Sequence, residues 1–168
     1  MQEVPFSKIS IGDICEKCEM NRKSFYYHFK DKYDLVGWMY YTEFVSVVQK
    51  QEDSGDWDML EAFCTYLYEN REFYRKTLRA EGQNSFAEYL TDIIAASIAD
   101  DVEKTFGKED ATDFMVEFYT DAFLCSIKKW LLKKDCMPAE QFAGLLKRSL
   151  LYVSGKIMHD YTQKERQA

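Results

Sequence analysis

The stretch "NRKSFYYHFKDKYDL", Asn21 to Leu35, decides how this chain is read. Between residues 22 and 32 it carries four bases (Arg22, Lys23, Lys30, Lys32), His28 and a single acid, Asp31, with four aromatics threaded among them. Asn21 is a good N-cap, and Phe25 and Phe29, four apart, share one face of a short helix. Just upstream, "SIGDICEKC" places Asp13 three residues after Ser10, a capping-box pattern. Ile11, Ile14, Cys15 and Cys18 then follow with helical spacing. Glu19-Met20-Asn21 leaves room only for a tight turn between the two. Helix, three-residue turn and helix near an N-terminus read as a helix-turn-helix.

Such a unit enters the DNA major groove with the N-terminal end of its second helix first. That order puts Arg22, Lys23 and Ser24 nearest the base edges. Tyr26, Tyr27, His28 and Lys32 then stand where hydroxyl, imidazole and ammonium groups meet phosphates. Phe25 and Phe29 anchor the helix from behind. The partner expected is double-stranded DNA.

Working outward, Asp31 with Asp34 is a second box-like pair. The pattern Leu35, Trp38, Met39, Phe44, Val45, Val48 carries a helix to about Gln49. "QEDSGD", residues 51–56, is the clearest linker. Beyond it the patterning predicts helices at about 57–70, 72–80, 84–106, 110–133 and 138–163, punctuated by Gly82, Gly107 and Pro138. With two prolines, seven glycines and no strand-like alternation of useful length, the expected class is all-α. The expected division is a helix-turn-helix domain with its connecting helix over 1–50, and a helical regulatory and dimerisation domain over 51–168.

The two long C-terminal helices carry surplus apolar surface. Phe114, Phe118, Phe123, Leu124, Ile127, Trp130 and Leu131 cover most of one helix's circumference. The last helix has a stripe through Phe142, Leu146, Leu150, Val153, Ile157 and Tyr161, and a second row through Ala143, Leu151, Ser154 and Met158. A buried core helix would account for this surface; a core face plus a face for a second subunit is preferred, because both long helices show the excess. The expectation is a homodimer with a four-helix interface that includes Phe123, Ile127, Trp130, Leu131, Leu151, Ser154 and Met158. Two recognition helices about 34–36 Å apart would then read a palindromic operator. "KKWLLKK", Lys128 to Lys134, reads as a helix end with lysines near its C-terminal dipole.

Composition bounds the rest. The 168 residues suit one compact domain, or a small and a medium one. They are 46% hydrophobic and 16% aromatic, enough to build a core. The net charge is -7, yet residues 1–50 hold seven Lys/Arg and seven Asp/Glu, so the acidity belongs to residues 51–168 and any DNA contact must be local. The most apolar run, "LVGWMYYTEFVSVV", is broken by Thr42 and Glu43, and "MQEVPFSKIS" is unlike a signal peptide; a cytoplasmic protein without a membrane partner is expected. Five cysteines fit a reducing compartment. Cys15 and Cys18 form a CxxC, but with only two histidines, His28 and His159, core packing is preferred to a metal site, and neither metal nor cofactor is expected. Without a P-loop, GxSxG, HExxH or dinucleotide fingerprint, an enzyme is not expected.

The segment "ISIGDICEKCEMNRKSFYYHFKDKYDLV" resembles the DNA-binding motif of the TetR family of bacterial one-component regulators, most specifically in its aromatic-Tyr-x-His-Phe-x-x-Lys run. The resemblance implies that Ser10, Ser24, Tyr26, His28 and Lys32 sit at phosphate-contacting or helix-end positions, with Arg22, Lys23 and Tyr27 at base-reading ones. It also implies a small-molecule effector. Phe63, Cys64, Tyr68, Phe73, Tyr74, Phe86, Tyr119 and Phe123 could line its pocket, and they are equally what a helical core contains. "CEMNRKSFYYHFKDKYDL" with "EGQNSF" is similar to a subgroup related to the activator of dihydroxyacetone kinase operons, which would imply a protein coactivator instead.

Two departures stand out. The family usually has glycine in the turn, where this chain has Glu19; either Glu19 tolerates a strained conformation or the turn differs slightly. The family's first helix also normally precedes "PFSKIS". Its absence leads to the expectation of a start shortened relative to the family design, and of weaker operator binding than a version with one more helix upstream. Phe6, Ile9, Ile14, Phe25 and Phe29 would then be exposed, covered by a symmetry mate, or packed on the following long helix; each large side chain left in water forfeits about 1.5–3 kcal/mol. The alternative function is an interaction or sensor protein whose DNA-binding domain is no longer competent.

Overall fold

The computed structural model describes residues 4–45, 55–80, 85–106 and 110–165, without the side chains of residues 45, 56, 105, 106, 110, 111 and 153–165. A 3-10 turn, Phe6–Lys8, precedes α1 (Ile11–Lys17), α2 (Arg22–His28) and α3 (Lys32–Tyr40), which runs on into a π turn, Tyr41–Val45. Then come α4 (Asp56–Glu69), α5 (Arg71–Leu78), α6 (Phe86–Phe106), α7 (Asp110–Leu132) and α8 (Ala139–Glu165). The fold is all-α, and the bounds of α4 to α8 lie within two residues of those read from apolar spacing, whereas α3, expected to run to about Gln49, gives way to the π turn after Tyr40. The domain boundary placed at residue 50 falls outside the described residues.

The first three helices start where their caps dictate. Ser10 Oγ accepts from the Asp13 N–H (3.2 Å), and Asp13 Oδ2 accepts from the Ser10 N–H (2.8 Å), so both halves of the capping box form. Those Ser10 hydrogen bonds, with the Arg22 guanidinium nearby, hold the Asp13 carboxyl below the usual carboxylate range. The cap therefore persists at neutral pH and is lost only as pH falls through that depressed pKa. Asn21 Oδ1 accepts from the Ser24 N–H (2.8 Å) to start α2. Asp31 Oδ1 accepts from the N–H groups of Tyr33 and Asp34 to start α3. Asp34 departs from a strict box, since its Oδ2 accepts from the Lys30 N–H, one residue ahead of the cap.

Between α1 and α2, the Met20 N–H donates to Cys15 O and the Glu19 N–H to Glu16 O, the paired bonds of a Schellman ending. That geometry needs a left-handed residue, and Glu19 takes it with φ 52°, the only non-glycine at positive φ among the described residues. A side chain there costs about 1–2 kcal/mol, offset by the roughly 0.5–1 kcal/mol of freedom that a glycine would lose. Glu19→Gly should thus raise stability by up to about 1 kcal/mol, visible as a higher melting temperature; a lowered one would contradict the strain.

One core joins the two ends of the chain. Tyr40, at the end of α3, is fully buried, with the rings of Phe44, Phe63, Tyr66, Tyr74, Phe86 and Tyr89 centred 5.4–6.5 Å away. Gly37, one turn earlier, lets α3 pass close to α6: a Cβ there would meet the Tyr89 ring at 3.2 Å. Tyr66 donates to Glu43 on the π turn (2.8 Å) and meets the Tyr74 hydroxyl at 2.7 Å, so α4, α5 and the end of α3 share one polar chain. The sequence reading had an unbroken helix here. In the structure the ladder widens at Tyr41–Val45, where Thr42 Oγ1 bonds back to Trp38 O (2.8 Å).

At the other end, Trp130 stacks on Phe142 (4.2 Å) and Tyr68 (6.1 Å), and its indole N–H donates to Met137 O (2.8 Å). Ile127, Trp130 and Leu131, expected at a subunit interface, are instead buried in the protomer's own core. The turn after α7 folds α8 back so that Phe142 covers Trp130, and no surface of these three remains for a partner. Phe123 is half-buried and Leu151 is exposed; the side chains of Ser154 and Met158 lie outside the described residues. Lys133 and Lys134 sit at a helix end as read, although Arg75 of α5 is what caps it.

Candidate nucleic-acid interface

The helix-turn-helix is held from inside by Phe25, which is fully buried against Phe29 (5.4 Å), and Phe29 in turn meets Trp38 of α3 (5.6 Å). Cys15 is buried in the same unit, whereas Cys18, expected beside it, is exposed as the cap residue of α1. Phe6 is buried too: its 3-10 turn lies on α5, and its ring meets the edge of Tyr33 (5.3 Å). Of the three fates laid out for this apolar set, Phe6 takes packing on neighbouring helices, and Ile9, Ile14 and Phe29 are half-buried.

With those rings turned inward, α2 presents Arg22, Lys23, Tyr26, Tyr27 and His28 outward, and Lys30 follows, also exposed. Tyr27 is 85% exposed and touches only the His28 ring edge (4.9 Å) among aromatic neighbours. A large aromatic left so far in water on a basic helix is accessible to an outside partner. Arg22 folds back over the start of α1, where a Cβ at Gly12 would collide with its Nη2. Ser10 and Ser24 occupy helix-end positions: the Ser10 hydroxyl donates to Asp13 Oδ2 (2.8 Å), and half-buried Ser24 donates to Asn21 Oδ1 (3.2 Å).

Lys32 is a correction. Expected at a phosphate, its ammonium donates to the carbonyls of Phe6 (2.8 Å), Ser7 (3.0 Å) and Ile9 (2.9 Å), and lies over the Phe6 ring (4.9 Å). A lysine has three N–H donors, and all three are taken. Partial burial draws its pKa below the usual lysine value. Lys32 therefore ties the N-terminal turn to α3. No spacing rule signals such a bond, because its acceptors lie 23 to 26 residues away.

The residues considered for an effector pocket are mostly core. Cys64, Tyr74 and Phe86 are fully buried, and Phe63, Tyr68 and Phe73 pack against the same cluster. Burial pushes the Cys64 thiol and the Tyr66 phenol up to about 12, and the phenols of Tyr40 and Tyr74 above the usual range. Tyr119 and Phe123 are half-buried on α7, outside that cluster. Two clefts stand out among the described residues, and none of the eight lines either. One of about 250 Å³ lies between Val4–Ser7 and Lys76, Arg79 and Ala80, and one of about 710 Å³ lies between α4 and α8. No helix of the described residues is long and apolar enough to cross a membrane.

Comparison with known proteins agrees with this architecture. Residues 1–37 match the family described as bacterial regulatory proteins, tetR family, and residues 55–152 match a transcriptional regulator C-terminal region. The HTH-type dhaKLM operon transcriptional activator DhaS of Lactococcus lactis subsp. lactis (strain IL1403) is 30% identical over 77 residues, 45% of this chain and 41% of that protein. The match thus spans less than half the length of that relative. Among solved structures, the dihydroxyacetone kinase operon activator DhaS superposes with a TM-score of 0.59 at 20% identity, covering 93% of this chain and 89% of that one. A TetR transcriptional regulator from Streptococcus agalactiae 2603V superposes with 0.66 at 21% identity, covering 90% and 85%.

Proposed function

The chain belongs to the TetR family of transcriptional regulators, and from that premise we propose that it binds a palindromic operator as a homodimer and is controlled by a protein partner rather than by a small molecule enclosed in its core. The carrying observation is the filled interior: of the residues that could line an effector pocket, Phe63, Tyr74 and Phe86 are packed around Tyr40, and Cys64, Tyr68 and Phe73 belong to the same core cluster. The relative from Lactococcus lactis bears the name of an operon activator, and activation is the output proposed here. Dimerisation is supported by α8, whose outward Leu151 and Tyr152 are large, apolar and more than half exposed.

On the DNA side, Lys23 and Tyr27 are the proposed contacts, with Arg22 swinging off α1 to reach a base edge. The test is a fluorescence-anisotropy titration of the DNA upstream of the chain's own gene across a salt series. Lys23→Ala should weaken specific and random DNA alike and lower the salt slope by about one unit. Lys32→Met should leave the salt slope unchanged and instead destabilise the fold by about 1.5–3 kcal/mol, because three carbonyls lose a charged donor. A Lys32→Met protein of full stability and reduced salt slope would return Lys32 to the phosphate. A wild-type protein that fails to shift this DNA at any salt would leave the rival reading, a sensor without operator binding.

A further inference from the structure

We propose that Gly12 is a positioning residue for DNA binding: it gives the Arg22 guanidinium a resting place on α1 that withholds this cation until a base edge draws it off. This rests on the reading that Arg22 contacts DNA. Gly12 is the second residue of α1, inside the helix that the Ser10 cap starts. No left-handed turn calls for glycine there, and alanine is the stronger helix former. A Cβ on Gly12 would collide with Arg22 Nη2, and would stand 3.3 Å from Arg22 Cζ and 3.3 Å from Ser10 Oγ. Arg22 and Ser10 are both exposed, so the nearest atoms belong to surface side chains. Gly37 differs, since the ring that fills its space, Tyr89, packs against the core. At Gly12 the missing side chain is replaced by a cation from the next helix.

Asp13 keeps that place attractive. Its Oδ2 accepts from the Ser10 N–H and from the Ser10 hydroxyl (2.8 Å each), which fixes a negative charge beside Gly12. That charge draws Arg22 through space. Attraction between exposed charges is weak and yields to a stronger partner. A guanine edge, which takes two N–H groups of one arginine, is such a partner. A contact that the free protein makes and the complex gives up lowers affinity, because only the molecules that have released it can bind. Gly12 therefore holds operator affinity below what Arg22 could give. Filling its space should raise that affinity, whereas a glycine needed only for packing would give the opposite sign. The clashing atom is the far end of a flexible side chain, so Gly12→Ala moves the arginine and not the backbone.

The test uses the full-length protein, the DNA upstream of its own gene and a random duplex of equal length, titrated by fluorescence anisotropy. Gly12→Ala should bind the upstream DNA about two- to fivefold more tightly, the range that a weak surface contact withholds, and random DNA should gain no more than that. Asp13→Asn, which removes the charge and keeps an oxygen for the Ser10 N–H, should shift affinity in the same direction by less. It also covers a Gly12→Ala protein that fails to fold. In an Arg22→Ala background both changes should lose their effect, which separates action through Arg22 from a firmer α1. Unchanged or weaker binding of the upstream DNA by Gly12→Ala overturns the proposal, as does the same gain with and without Arg22. Either result, with Arg22→Ala still weakening the upstream DNA, removes the resting place and leaves Arg22 a DNA contact. An Arg22→Ala protein that binds both duplexes like the wild type instead removes the reading on which the proposal rests.

Discussion

Tyr40→Ala should destabilise the chain by about 3–5 kcal/mol, the range for deleting a large buried aromatic. Tyr40 is fully enclosed and, among the described residues, is the one ring in contact with Phe44, Phe63, Tyr66, Tyr74, Phe86 and Tyr89 together. Those neighbours come from the π turn, α4, α5 and α6, so the cavity left behind cannot be closed by moving any one helix. Tyr40 also ends the helix that begins just after the helix-turn-helix. Its loss should therefore separate the melting of residues 4–40 from that of the rest. Urea unfolding followed by circular dichroism would show the lower midpoint, and tyrosine or tryptophan fluorescence would no longer coincide with it. Tyr40→Phe, which keeps the ring, should shift the midpoint far less. A loss below about 1 kcal/mol in Tyr40→Ala would mean that this centre is not what joins the two parts.

Arg75→Ala should have the second large effect, about 2–4 kcal/mol. The last carbonyls of a helix have no partner within it. At the end of α7 the Arg75 guanidinium supplies them: Nε donates to Leu131 O (2.5 Å), and Nη2 to Lys133 O (2.5 Å) and Lys134 O (3.2 Å). Hydrogen bonds from a charged donor contribute about 1.5–3 kcal/mol each, less than additively where they share one group. Lysine cannot reproduce the planar fork, so Arg75→Lys should recover only part of the loss. The ion pair with Glu72 is exposed on its acid side (75%), and Glu72→Ala should change stability by less than about 1 kcal/mol. If Glu72→Ala and Arg75→Ala prove equally damaging, the ion pair rather than the helix cap is the contact that matters. Comparing their denaturant midpoints with the wild type decides this.

Much of the helix-turn-helix was legible from residues three or four apart. Ser10 with Asp13, Asn21 with Ser24, and Asp31 with Asp34 all lie within one turn, and a cap that spans one turn is chosen by the chain locally, whatever surrounds it. Glu19 could likewise be flagged in advance, because the family that the segment resembles usually has glycine there, the residue that takes a left-handed turn at least cost. The outward set Arg22, Lys23, Tyr26, Tyr27 and His28 follows from the two inward rings, Phe25 and Phe29, since one face of a short helix excludes the other. Helix ends in the larger part were read to within two residues from Gly107, Pro138 and the apolar period alone.

Residues whose partners lie far along the chain were another matter. Lys32 sits in a basic run and has a phosphate-binder's chemistry; only the folded chain brings the carbonyls of Phe6, Ser7 and Ile9 to its ammonium. Arg75 meets its carbonyls across 56 to 59 residues. Ile127, Trp130 and Leu131 share an apolar period with Phe114 and Phe118, yet the first three are core and the last two are surface. Periodicity says that a face is apolar and does not say what covers it. The sequence by itself determined the helices, their caps and the basic aromatic face of α2, because those depend on neighbours within a turn or two. Tertiary structure alone decided which cations of the basic run stay exposed, which aromatics are core and which apolar faces stay open, because each depends on contacts between segments far apart in the chain, such as Lys32 with the N-terminal turn and the helices that close around Tyr40 and Trp130.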